Sequence, residues 1–250
     1  VALYGGDKEM AWEYADKMIR GIHEEHKWFP FVTQEEVAAT EKEDRIFQSE
    51  ILFGLYNLKR KENVYSVGFG PNLKQGSVLR IDKDIMNEMY EGDENDFRLA
   101  YWFSDMVDPD NNSYTHMIKY MDVDDLDTKT EISKGYTYIM PVLRVSEVYL
   151  IAAECCPDPK VGRDYLNAVR SVRNVKNVAD EVDLTTVIEQ EFRREFLGEG
   201  QLFWLYKRKG KAEIISGETQ GKVVSMEERF YLFDLPQSER DYREENGIGN

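Results

Sequence analysis

Apolar residues recur at helical spacing in two parts of the chain, separated by a long stretch where that spacing fades. Near the start, Ala11, Tyr14, Ala15, Met18 and Ile22 mark one face of a helix over residues 7–22, with Asp7 placed to cap it and Gly5-Gly6 in front. Trp28-Phe29-Pro30-Phe31 breaks the pattern, and Thr33 with Gln34, Glu35 and Glu36 opens a second, short helical segment. Ile46–Phe53 is short, apolar and compatible with a strand or extended segment. From Tyr56 to Lys134 periodicity is weak, and Gly68, Gly70, Pro71, Gly76, Gly92, Pro109 and Asn111-Asn112 punctuate the chain. The spacing there predicts an irregular insertion over 56–134 with one helix at Lys83–Tyr90. So long a loop in a compact domain is uncommon unless it is functional.

Helical order returns at Leu143–Cys156, where Val145, Val148, Tyr149, Ala152 and Cys156 share a face and Pro157-Asp158-Pro159 ends it. A partner helix runs from Gly162 to about Asn174 with Leu166, Val169 and Val172 inward. A third follows Asp183, carries Ile188, Phe192 and Phe196, and stops at Gly198 and Gly200; a fourth, Gln201–Arg208, stops at Gly210. Short turns between helices predict a mainly α architecture of antiparallel helix pairs, although no fixed repeat of about 34 residues stands out.

Composition narrows the function classes. Hydrophobic residues make up 42% of the 250, enough for a substantial core, so a soluble globular protein is expected. The formal charge of -16 would repel nucleic acids and anionic lipid heads, which removes a nucleic-acid partner. The two cysteines, Cys155 and Cys156, are adjacent and read as small hydrophobes rather than a disulfide framework. No stretch approaches the ~20 apolar residues of a membrane span, and Val1-Ala2-Leu3-Tyr4 is not a signal peptide.

Catalytic chemistry finds little footing. His23-Glu24-Glu25-His26 has the wrong spacing for a zincin helix, in which both imidazoles lie one turn apart. Asp108-Pro109-Asp110-Asn111-Asn112-Ser113 starts like a calcium loop, but Ser113 stands where Gly is needed and Lys119 where a bidentate Glu belongs. The run Asp122, Asp124, Asp125 and Asp127 lacks the same two features. Gly217–Val223 is one residue short of a phosphate-binding loop and has no Ser or Thr for magnesium. Glu191 and Glu195, beside Arg193 and Arg194, read as helix ion pairing. No catalytic residue, metal site or cofactor is assigned.

What the insertion does carry is aromatic side chains among turns. Flat rings suit the apolar C–H face of a sugar, while its hydroxyls seek polar partners at the rim. The candidate ligand residues are Trp102, Tyr65, Phe69 and Tyr114 as rings and Asn72, Asn111 and Asn112 as rim groups; packing in a core is the competing reading for each ring.

Several ordered segments resemble the SusD/RagB family of outer-membrane nutrient-binding lipoproteins. Leu143-Arg144-Val145-Ser146-Glu147-Val148-Tyr149-Leu150-Ile151-Ala152-Ala153-Glu154 is similar to the family's R-x-x-E-x-Y-L-x-x-A-E helix. Leu166-Asn167-Ala168-Val169-Arg170 with Arg173 is similar to L-N-x-V-R-x-R. Glu191–Phe196, Gly198-Glu199-Gly200 and Trp204–Gly210 follow the family's E-R-R-x-E-F-x-G-E-G and W-x-D-L-x-R-x-G, except that Tyr206 replaces the usual acidic residue. Asp96-Phe97-Arg98, Lys119-Tyr120, Leu235-Pro236, Asn246 and Asn250 follow in order as weaker matches.

The resemblance implies one helical unit over 1–250 with tetratricopeptide-like helix pairs. Val1–Asp7 resembles an interior junction, implying the C-terminal part of a longer chain whose N-terminal lipid anchor lies outside it. It further implies no enzymatic activity. The expected role is capture of an oligosaccharide or peptide at the surface of a Gram-negative outer membrane, for a SusC-type TonB-dependent transporter as partner. Arg144, Glu147, Glu154, Arg170 and Arg194 are implied to form buried ion pairs and caps, with Trp204 also architectural. A tetratricopeptide-like adaptor without glycan binding and a helical glycoside hydrolase remain as alternatives, the latter requiring two carboxylates ~5–9.5 Å apart.

Overall fold

The computed structural model describes residues 1–38, 44–69, 81–107, 110–111, 113–120, 138–217, 219 and 221–247, with the side chains of Lys61 and Tyr65 left aside. Among these the fold is mainly α, with three two-stranded antiparallel ladders. Helix α1 (Lys8–Met18) starts at Asp7, whose Oδ1 accepts from Met10 N at 2.9 Å, and continues in wider turns over Ile19–Glu25. Thr33 and Glu36 form a reciprocal capping box for α2 (Gln34–Ala38): Thr33 N donates to Glu36 Oε2 at 2.8 Å and Glu36 N to Thr33 Oγ1 at 3.2 Å.

The extended segment expected at Ile46–Phe53 lies further along. Ile46 and Phe47 are core residues, Gln48–Glu50 makes one tight turn, and β1 runs Ile51–Tyr56. Its partner β4 (Ile139–Arg144) went unread in the sequence, because Pro141 and the following helical run mask a short strand. The ladder pairs Ile51 with Arg144 at one end and Tyr56 with Ile139 at the other, so the chain leaves and re-enters along one ribbon.

The described part of 56–134 is more ordered than weak periodicity implies. The wide turns Lys61–Phe69, α3 (Lys83–Met89), α4 (Phe97–Trp102) and the hairpin β2 (Phe103–Val107) with β3 (Ser113–Met117) lie within it. The helix expected at Lys83–Tyr90 is present. Elements of five to nine residues are too short to display a 3.6-residue period, which is why the rest escaped notice. They enclose a core of their own: Phe47, Phe69, Met86, Met89, Tyr90, Phe97, Trp102, Phe103, Met117 and Tyr120.

The second core belongs to the helices. Helix α5 (Val145–Cys155) packs on α1, on α6 (Pro159–Val172) and on α7 (Leu184–Glu195). Helix α6 begins three residues before the expected Gly162, because Asp158 caps it and Pro159 fits its first turn. Gly162 lies where α6 meets α5: a Cβ there would stand 2.9 Å from the Ala153 carbonyl oxygen. After α8 (Gln201–Arg208) come β5 (Glu213–Ile215), β6 (Val223–Ser225), a tight turn at Glu228–Tyr231 and α9 (Gln237–Glu245). Helix α9 is polar all round, with no buried residue, so no apolar stripe announced it.

Between the two cores lies a layer of buried charge. Glu195 of α7 receives Arg144 Nη1 at 2.6 Å, Arg173 Nη2 at 2.7 Å and Arg98 Nη1 at 2.8 Å. Glu50, at the head of β1, receives Arg173 Nη2 at 2.7 Å, Arg144 Nη1 at 3.3 Å and the Val32 amide at 3.0 Å. Asp96 and Glu191 hold Arg98, Glu191 also holds Arg170 and Arg194, Glu199 holds Arg144 and Lys119, and Glu91 binds Arg194. The six cations of this layer, Arg98, Lys119, Arg144, Arg170, Arg173 and Arg194, face five buried carboxylates, Glu50, Asp96, Glu191, Glu195 and Glu199, with the exposed Glu91 at its edge. Such a layer adds little net stability over an apolar one, yet losing one partner is costly, so it fixes how the halves meet.

Candidate functional site

The residues expected to contact ligand fall in several places. Trp102 is 0% exposed: its ring stacks on Phe47 at 5.0 Å and lies under Lys119 Nζ at 3.7 Å, and its Nε1 donates to the Arg45 carbonyl at 2.8 Å. Phe69 and Tyr114 are also buried. These three are corrected from ligand-stacking rings to core residues; the polar Ser104 and Asp105 that follow Trp102 lie on β2, where Asp105 is exposed, while the Trp102 ring turns inward. Asn111 is exposed at the tip of the β2–β3 hairpin with φ of 66°, a turn position that asparagine tolerates. Asn72, Asn112 and the Tyr65 side chain lie outside the described residues, as do Asp108 and Pro109 of the calcium-like loop and the acidic run after it.

The signature residues sort differently. Arg144, Arg170 and Arg194 are buried in the ion layer, and Glu154 makes a two-pronged pair with Arg208 at 2.7 Å for each bond. Glu147 is the exception. It makes no ion pair among the described residues and lines a groove, and desolvation together with the nearby Glu199 carboxylate pushes its own carboxyl up to about 7. Trp204 is likewise not a core residue; it is 41% exposed.

That groove, about 570 Å³, runs between α1, α5, α7 and α8 and is lined mainly by apolar side chains, among them Tyr14, Met18, Val148, Ile151 and Leu205. It explains why Tyr14, on the expected inner face of α1, is 65% exposed.

The insertion presents a different surface where it joins the ladder. Tyr56 ends β1 and Tyr138 immediately precedes β4; their ring centroids lie 5.5 Å apart at 57°. Tyr56 is 65% exposed and Tyr138 half-buried. Three contacts hold the backbone beneath them. Asn57 N donates to the Tyr138 carbonyl at 2.7 Å, Lys59 N to Asn57 Oδ1 at 3.0 Å, and the buried Arg60 Nη1 to the Ile139 carbonyl at 2.9 Å. Leu58 stands exposed beside the pair, and Lys59, Glu62 and Asn63 offer exposed polar groups on the next turn. A tilted aromatic pair on a fixed backbone, rimmed by polar side chains, can stack an apolar sugar face while the hydroxyls keep partners. The two tyrosines stand at the two ends of the insertion, and the β1–β4 ladder brings them together.

Among the described residues, no group of three or more His, Cys, Asp or Glu is arranged to hold a metal, and no helix is long and apolar enough to cross a membrane. His116 is buried, with Nε2 2.5 Å from the Phe69 carbonyl oxygen, and desolvation lowers its pKa.

With the fold and this surface in view, comparison with known proteins gives the class. The model of the SusD family matches residues 5–243. The chain belongs to the SusD family. Similar solved structures include a SusD-like carbohydrate binding protein from Bacteroides vulgatus, at 15% identity, 97% of this chain, 56% of that one and a TM-score of 0.64. Surface glycan-binding protein A from Bacteroides thetaiotaomicron in complex with laminarihexaose matches at 18% identity, 97% of this chain, 60% of that one and a TM-score of 0.61. A SusD superfamily protein from Bacteroides thetaiotaomicron matches at 23% identity, 94% of this chain, 55% of that one and a TM-score of 0.64. At these identities the likeness shows the fold, and the chain spans 55–60% of the length of these three structures. No curated protein matches significantly.

Proposed function

We propose that this protein is a non-catalytic glycan-binding component of a nutrient-uptake system, capturing oligosaccharides at the cell surface. In this reading it is a lipoprotein of a Gram-negative outer membrane and passes its ligand to a SusC-type TonB-dependent transporter. The single observation that carries the reading is the family match over residues 5–243. A relative of the same fold in complex with laminarihexaose supports a glycan as the ligand class. The Tyr56–Tyr138 pair is the contact surface, with Leu58 beside the rings and Lys59 and Asn63 meeting hydroxyls; Asn111, exposed on the hairpin tip, remains a rim candidate.

Isothermal titration with laminarihexaose and a panel of plant and host oligosaccharides tests this. One member of the panel should bind, and Tyr56→Ala should weaken it roughly 5–10-fold, the value of a stacked ring. Unchanged affinity in Tyr56→Ala and Tyr138→Ala would remove the pair from the site. Retention of a transporter partner with no saccharide-dependent rise in melting temperature would favour the adaptor reading, and released reducing ends the hydrolase.

A further inference from the structure

A second aromatic surface stands away from the insertion, on α8 and the segment that follows the Glu228–Tyr231 turn. Phe203, Trp204 and Lys207 share one face of α8 through i,i+3 and i,i+4 spacing. Phe233 closes over them: its centroid lies 5.4 Å from Phe203 at 46° and 5.9 Å from Trp204 at 54°. The platform is anchored from below, since Phe203 packs on the buried Tyr231 at 5.8 Å and Tyr231 donates its hydroxyl proton to the Lys211 carbonyl at 2.8 Å. Phe233 is 71% exposed, so two large rings meet solvent on a fixed support.

Lys207 gives this surface its chemistry. Its Nζ lies 5.6 Å from the Trp204 centroid and 5.9 Å from that of Phe233, and it makes no ion pair among the described residues. The neighbouring cations are engaged: Arg208 with Glu154, and Lys209 and Lys211 with Glu189. In a chain with 48 acidic residues against 32 basic, an ammonium held over two exposed rings without a carboxylate is a vacant anion partner. The two rings offer an exposed apolar surface, and the ammonium lies within 5.9 Å of both centroids.

We propose that Trp204, Phe233 and Lys207 form a second saccharide site, specific for a sugar that carries a carboxylate. The C–H face of the uronate packs on the two rings and its carboxylate takes the Lys207 ammonium. This site does not depend on the Tyr56–Tyr138 reading.

The test is titration with trigalacturonate and with its methyl ester, which has the same skeleton without the charge. The free acid should bind roughly 2–5-fold more tightly than the ester, the value of an exposed ion pair. Lys207→Met should abolish that preference and Lys207→Arg restore it, while Phe233→Ala, a change at an exposed ring, should weaken both forms. Laminarihexaose binding should be the same in Lys207→Met, which separates failure here from failure of the first site. No binding of trigalacturonate, equal binding of its ester, or a preference that survives Lys207→Met would overturn the proposal.

Discussion

Replacing Glu195 by glutamine tests whether the charged layer is a set of mutually dependent pairs. The carboxylate accepts from Arg144 and Arg173 on Oε1 at 2.6 and 2.7 Å and from Arg98 and Arg173 on Oε2 at 2.8 and 3.1 Å. Glutamine keeps the volume but turns one acceptor into a donor facing guanidinium N–H groups, and leaves one buried positive charge uncompensated. Removing one partner of a buried pair costs about 3–5 kcal/mol. At roughly 2–4 °C per kcal/mol for a chain of this size, the midpoint should fall by about 6–20 °C. Glu154→Gln, which disturbs the more solvated Arg208 pair, is the control and should cost about 1 kcal/mol. Urea unfolding followed by circular dichroism gives both values.

The acid limb supplies an independent check. Burial raises the Glu195 pKa, but Arg173 and Arg144 outweigh it and hold the carboxyl well below the usual range. Its contribution is therefore present above the unfolded value of about 4.3 and lost as pH falls towards the folded value. Glu195→Gln should flatten that loss. A cost below 1 kcal/mol, or one equal to that of Glu154→Gln, would refute the interlocked layer.

Other outcomes follow from single features. Asp44 is buried, and desolvation pushes its carboxyl up to about 7, so stability from the protonated form is full below the unfolded value of about 3.9 and declines as pH rises through 7; thermal melts of Asp44→Asn should show less decline over that window. Gly162→Ala should destabilise by about 1–3 kcal/mol in urea titration despite alanine's better helix propensity, because its Cβ meets the Ala153 carbonyl of α5 at 2.9 Å. Trp102→Ala should cost about 3–5 kcal/mol in the same titration as a core cavity, and leave saccharide affinity of the folded fraction unchanged.

Helices with an apolar stripe, as in α1, α5, α7 and α8, or with a capping box, as in α2, were legible in the sequence. The family was legible because many of its signature residues belong to the charged layer, although Glu147, Glu154 and Trp204 do not. Arg98, Arg144, Arg170, Arg173, Glu191, Glu195 and Glu199 cannot change singly without stranding a buried charge. The binding surface was harder to read. A tryptophan among polar neighbours looks the same in sequence whether those neighbours face water or, as with Lys119 over Trp102, face the ring in the interior. Only pairing of β1 with β4 shows that Tyr56 and Tyr138 are neighbours, and that pairing spans too much chain for local pattern to reveal.

The ends of the β1–β4 ribbon have a consequence for how the chain can change. Glu50 and Arg144 bracket the ribbon at its inner end and are held to each other, Glu50 also to Arg173 and Arg144 to Glu195, which pair in turn, while Tyr56 and Tyr138 stand at its outer end. Between the two tyrosines, Arg98 and Lys119 reach back to Glu191, Glu195 and Glu199, so the segment is tied to the helical body by its own cations as well as by the ribbon. The ribbon is thus a graft junction with a condition attached: a segment joined at 57 and 137 must bring its own cations for Glu191, Glu195 and Glu199, while its outer turns are free to vary and sample new ligand preferences.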